Sequence, residues 1–139
     1  MQRLGFAKNK RLVSNRQFRA VLAGGRRASN RLLIVYAAEN DCGYPRLGAS
    51  VGKVSGKAVV RNRLKRLLRE AFRQNQQRIP QGFDYIVMIC PTLSRRLKQA
   101  DQNGTIGKVL TFERIEQALL PLIEATTEGP RKGGDRADP

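Results

Sequence analysis

Three short runs of β-forming residues are interleaved with stretches in which apolar residues recur at helical spacing. Leu32 to Ala38 and Arg46 to Val51 are two of these runs, separated by a polar turn rich in Gly, Asn, Asp and Pro, and they are expected to form an antiparallel strand pair. Asp84 to Cys90, preceded by Pro80-Gln81-Gly82 and closed by Pro91, is expected to be a central strand. Helix signals surround them. Ser14 followed by Gln17 fits a capping box, and Val13 with Phe18 has the spacing of a hydrophobic staple, so a helix should begin at Asn15. Phe18, Val21 and Leu22 share one face of it, and Gly24-Gly25 ends it after roughly ten residues.

From Lys57 to Gln76 good helix formers follow one another without Gly or Pro, which makes this the strongest helix in the chain. At helical spacing Val60, Leu64, Leu67, Leu68, Ala71 and Phe72 form one face, and Arg61, Asn62, Lys65, Arg66, Arg69 and Arg73 the neighbouring one. One side should pack on a sheet; the other is a cationic strip. Thr92 to Lys108 is polar, contains Asn103-Gly104 and Gly107, and reads as an extended loop. Phe112, Ile115, Leu119 and Leu122 then repeat at helical spacing behind Thr111, a candidate N-cap, and Pro121 should kink or end that helix. From Thr126 the chain has little to bury, and a disordered tail is expected over 126–139 behind a single domain over 1–125. The order is helix, strands, basic helix, strand, helix: an α+β domain without internal repeats.

Charge narrows the function classes. There are 27 Lys and Arg against 11 Asp and Glu, a formal net charge of +16, and no acid precedes Glu39. Repulsion on this scale destabilises a compact chain unless a polyanion absorbs it, and solubility alone would be served as well by acids. No apolar run approaches the roughly 20 residues that span a bilayer, and Met1 to Lys10 lacks the apolar stretch of a secretory signal, so a cytoplasmic location without membrane attachment is expected.

The inventory for covalent chemistry is thin. The chain has no His, and its two cysteines, Cys42 and Cys90, form no C-x-x-C pair, so zinc is not expected; Cys90 reads as a small buried core residue and Cys42 as a loop position. Without His the candidates for acid-base work narrow to carboxylates and lysines, and the Glu113/Glu116 pair at i, i+3 reads as solvated. Gly48, Gly52 and Gly56 lack the spacing and the Lys-Ser/Thr of a phosphate loop. No catalytic and no metal-binding residue is assigned.

The informative constellation is Arg61-Asn62-Arg63-Leu64-Lys65-Arg66-Leu67-Leu68-Arg69, directly after Gly56-Lys57. Guanidinium groups repeated along a helix suit the paired oxygens of a phosphate backbone. This stretch, with Ser50-Val51-Gly52-Lys53 before it, resembles the protein subunit of bacterial-type ribonuclease P. The resemblance covers about residues 8 to 125, and Lys10-Arg11-Leu12, Phe18, Asn30-Arg31 and Tyr36 support it.

The resemblance implies an α/β sandwich with a left-handed β-α-β crossover, a rare hand. It implies a chain that binds the catalytic RNA subunit and the 5′ leader of precursor tRNA, promoting endonucleolytic maturation of the tRNA 5′ end. The catalytic centre and most of the Mg2+ would then belong to the RNA, with no DNA and no obligate protein partner. It assigns Lys53, Lys57, Arg61, Asn62, Arg63, Lys65, Arg66 and Arg69 to the RNA subunit, and Arg11, Phe18 and Tyr36 to the leader. Three features depart from the family pattern: Leu22 stands where a second aromatic is frequent, Lys53-Val54 where a basic pair is frequent, and 92–108 is long. The residues alone leave open a ribosomal or other structural RNA-binding protein without a role in cleavage.

Overall fold

A computed structural model of the protein describes residues 15–40, 43–52 and 56–127. Along them run α1 (Asn15–Gly24), β1 (Arg26–Ser29), β2 (Leu33–Glu39), β3 (Arg46–Ser50), α2 (Ala58–Gln74), β4 (Phe83–Ile89), α3 (Pro91–Asn103), α4 (Ile106–Val109) and α5 (Phe112–Thr127). The strands form a four-stranded sheet in the order β1-β2-β4-β3. β4 pairs antiparallel with β2 and parallel with β3, so β3, α2 and β4 make a crossover unit. The α+β class, the start of α1 at Asn15 and the central place of the third apolar run are as expected.

The pairing of the first two apolar runs is not. β2 and β3 are separated by β4 instead of forming a hairpin. The cause is burial: Tyr85, Ile86 and Val87 are consecutive and all fully buried, so β4 needs cover on both faces and neighbours on both edges. β1 was not anticipated either, because Arg26-Arg27-Ala28-Ser29 carries no apolar alternation. It is recruited as an edge strand by a hairpin with β2, and its arginines discourage further strand addition. Asn30 holds the turn: its Oδ1 accepts from the N–H groups of Leu32 and Leu33 at 2.9 Å each, and its Nδ2 donates to the Ala118 carbonyl of α5 at 3.0 Å.

One sheet face carries Leu33, Val35 and Ala37 of β2, Leu47 of β3, and Tyr85 and Val87 of β4. α2 covers it with Val60, Leu64, Leu68, Ala71 and Phe72, and α5 with Ile115, Leu119, Leu122 and Ile123. Each of the buried Val, Leu, Ile and Phe side chains contributes about 1.5–3 kcal/mol by leaving water. Phe72 meets Tyr85 edge-on at 5.7 Å, and the Tyr85 hydroxyl donates to the Pro80 carbonyl at 2.9 Å, while burial raises its pKa. The opposite face holds a smaller cluster, in which Val21 of α1 is buried on Ile86, and Phe18, Tyr36, Ala38 and Met88 surround them partly exposed.

The expected loop over 92–108 is largely helix. Leu93, Leu97 and Ala100 recur at helical spacing and are buried, the two leucines in the main core; Pro91 occupies the first turn, and Gly104 ends α3 in the left-handed conformation at φ 71°. The polar residues that suggested a loop line its outer face. Pro121 does not end the last helix, which runs on through it to Thr127, past the expected domain boundary, with Thr126 buried. Thr111 Oγ1 accepts from the Arg114 N–H at 3.2 Å, as expected of the cap. Cys90 is not a core residue: it stands half-exposed before α3, its thiol donating to the Asn30 carbonyl at 3.1 Å, and partial burial raises its pKa. Ser14, Val13 and Cys42 lie outside the described residues, as do 128–139.

Gly25 sets the spacing between α1 and the sheet. A Cβ there would lie 2.5 Å from the Val21 carbonyl oxygen and 2.8 Å from that of Ala37, both backbone atoms that cannot swing aside. Gly25→Ala is therefore expected to destabilise the fold by about 1–3 kcal/mol, read from the midpoint of a urea unfolding curve. An unchanged midpoint would mean that α1 does not sit this close to β2.

Candidate RNA-binding surfaces

α2 begins with Lys57 at its N-cap, carries no acid in its first turn, and then presents Arg61, Asn62 and Arg63. Cations at the positive end of a helix dipole are unfavourable, so this arrangement is relieved by an external anion. Consecutive helical residues are about 100° apart, so Arg61 and Arg63 are about 200° apart and flank the helix instead of forming one patch. Arg61 Nε donates to the Gly56 carbonyl at 3.1 Å, and Arg63 Nη2 donates across to the Leu110 carbonyl at 3.2 Å. Asn62 and Arg66 are exposed between them, and Lys65 and Arg69 are half-exposed. Val59, 77% exposed, stands among them at the head of the strip.

The strip is strongest in the first half of α2, because Arg73 is held at its far end. Arg73 Nε donates to Glu70 Oε1 at 3.1 Å, Arg73 Nη2 also bonds Glu70, and Gln74 Nε2 donates to the same carboxylate at 2.8 Å. These donors lower the Glu70 pKa from 4.5 to about 2, and Arg73 is raised in turn. A depressed carboxylate stabilises the fold above its unfolded pKa, and that contribution is lost as pH falls from about 4.5 towards 2; on this exposed pair it is small.

The second surface is the α1 side of the sheet. Phe18 and Tyr36 both pack on the Val21–Ile86 pair and keep part of their rings exposed. Leu22 is 38% exposed. Arg27 pairs directly with Tyr36 across β1 and β2, so the two side chains share this face. Arg27 was missed by the sequence reading, since only its membership of β1 places it here. Arg46 was missed too: it grips Asp84 through Nε at 2.7 Å and Nη2 at 2.8 Å, and Asn40 Nδ2 adds a bond to Asp84 at 2.7 Å. This ties the β2–β3 connection to β4. Lys53 and Arg11 lie outside the described residues. Among the described residues no cluster of three or more Cys, Asp or Glu could hold a metal ion, and no helix is long and apolar enough to cross a membrane.

Fold and surfaces together define a small basic RNA-binding protein of the α+β class. The family model for ribonuclease P matches residues 6–111. A ribonuclease P protein component of Clostridium botulinum (strain Loch Maree / Type A3) is 44% identical over 118 residues, covering 84% of this chain and 94% of the relative. The solved ribonuclease P protein of Thermotoga maritima superposes with a TM-score of 0.70 at 34% identity, covering 86% of this chain and 98% of that one. That of Staphylococcus aureus gives 0.67 at 26% identity, over 85% and 95%. The chain belongs to the ribonuclease P protein component family.

Glu70→Gln should release Arg73 to the strip. The expected result is tighter binding to a structured RNA and a log-log salt slope steeper by about one, measured by filter binding across a salt titration. An unchanged slope would mean that Arg73 does not reach the bound RNA.

Proposed function

We propose that the chain acts as the protein component of ribonuclease P, docking on the catalytic RNA through α2 and holding the 5′ leader of precursor tRNA on the α1 face. The observation that carries this reading is the division of the molecule by its sheet, with a cationic helix on one side and an aromatic, partly open face on the other. The α2 side suits a folded RNA. Lys57, Arg61, Asn62, Arg63, Lys65, Arg66 and Arg69 would meet its phosphates, and the family resemblance assigns Lys53 to the same RNA. A duplexed or folded RNA offers fixed phosphate rows, and a rigid helix can match them.

The α1 face suits an extended single strand. Exposed ring faces of Phe18 and Tyr36 would stack on successive bases, a contact worth about 1–3 kcal/mol that tolerates any base. Arg27 would neutralise the adjoining phosphates, and the family resemblance assigns Arg11 to the leader as well. With Leu22 in place of a second aromatic, the stack is shorter. On this reading the magnesium ions of the reaction and the chemistry of cleavage belong to the RNA. The chain's part is to raise the affinity for a substrate that carries a leader, in the cytoplasm where precursor tRNA is made.

The test is precursor tRNA cleavage by a bacterial ribonuclease P RNA at low magnesium, with and without the protein. Stimulated cleavage at the mature 5′ end is expected; none, from folded protein with several bacterial RNAs, contradicts the reading. Arg66→Ala should weaken binding to the RNA subunit and lower the salt slope by about one. Phe18→Leu keeps the packing on Val21 and Ile86 but removes the ring, and should weaken precursor tRNA binding while leaving mature tRNA binding intact. Equal losses for both would make Phe18 a packing residue only.

A further inference from the structure

The α3–α4 segment is a built part of the molecule, not a solvated connection. Leu93 and Leu97 root α3 in the main core, with Ala100 buried on the same side of the helix, so the opposite face is held in a fixed direction. That outer face is basic: Arg95, Arg96 and Lys98 on α3 and Lys108 on α4 are all exposed. Between Pro91 and Thr111 the single acid is Asp101, and its carboxylate lies 3.9 Å from Lys57 of the α2 N-cap. An outer face that served solubility alone would mix the two signs.

The position of this segment matters as much as its charge. The Lys57–Asp101 contact sets the second half of α3 beside the first turn of α2. A groove of about 430 Å³ runs between them, lined by Gly56, Lys57, Lys98, Asp101 and Gln102. On the other flank Arg63 reaches the Leu110 carbonyl, just past α4. The segment therefore brackets the half of α2 in which the cationic strip is strongest. Its apolar side belongs to the core cluster of the α2 face, across the sheet from Phe18 and Tyr36.

We infer that α3 and α4 form a second docking surface for the RNA subunit, continuous with α2, in which Arg95, Arg96, Lys98 and Lys108 engage phosphates and the groove at Lys57 and Lys98 seats a ribose-phosphate unit. This rests on the reading of α2 as the RNA-subunit helix. The leader is not its ligand, because the segment lies on the other side of the sheet. Asp101 positions Lys57 at the mouth of the groove, where the two lysines neutralise one stretch of backbone between them.

The experiment compares the full-length chain with two variants: Arg95→Gln/Arg96→Gln/Lys98→Gln/Lys108→Gln, which keeps helix-forming residues on exposed positions, and Asn62→Ala/Arg66→Gln on α2. Each is titrated against a bacterial ribonuclease P RNA by filter binding at several salt concentrations, with circular dichroism melting to confirm the fold. The quadruple variant is expected to bind at least about tenfold more weakly near physiological salt, with a log-log slope smaller by about two to four. Wild-type affinity and slope from the quadruple variant, with the α2 variant impaired, would overturn the second surface and leave the α2 reading standing. No loss from either variant would overturn both. A loss confined to precursor tRNA, with RNA-subunit binding intact, would also overturn it.

Discussion

The two-sided burial of β4 is the constraint on which the rest of the structure depends. Tyr85, Ile86 and Val87 point alternately to opposite faces, and none is accessible to water. A strand of this kind requires a layer on each side of the sheet and a paired neighbour on each edge. α2 and α5 supply one layer and α1 the other, while β2 and β3 take the edges. The separation of the two candidate RNA surfaces follows directly. Because α1 and α2 must pack on opposite faces, an aromatic side chain on one and a cationic strip on the other cannot merge.

A net charge of +16 is tolerated because the acids are placed where they organise particular cations. Asp84 fixes Arg46 against the sheet, Glu70 occupies Arg73, and Asp101 stands beside Lys57. Glu116 accepts from the buried Asn75 amide at 2.8 Å and so ties the end of α2 to α5. With these carboxylates engaged within the chain, Asn62 and Arg66 of α2 and Arg95, Arg96 and Lys98 of α3 face solvent. The result is a surface whose electrostatic strain is relieved by a polyanion, while the core beneath it is an ordinary apolar one.

The elements with strong local signals were legible in the residues. α2 was evident from its long unbroken run of helix formers, and its buried face followed from periodicity, with Leu67 only half-buried at the margin. α1 and the Thr111 cap were likewise local matters. The α3 helix was missed although Leu93, Leu97 and Ala100 have helical spacing, because Asn103-Gly104 and Gly107 drew the whole stretch towards a loop. Gly104 is in fact the signal that terminates the helix. Pro121 misled in the same way: the missing N–H and the ring are accommodated within α5, whose buried face on the sheet outweighs the local penalty.

What the sequence by itself determined is what acts between near neighbours: helix and strand type, the cationic face of α2, and the absence of histidine chemistry. Its resemblance to a known family, carried by the Arg-Asn-Arg run, supplied the functional expectation that composition alone left open. Only the tertiary structure decided which strand lies between which, that polar β1 joins the sheet, that Arg27 faces Tyr36, and that α3 stands against the head of α2. These depend on contacts between residues far apart in the chain. Such contacts are selected by the joint burial of surfaces, a collective quantity that local sequence spacing does not encode.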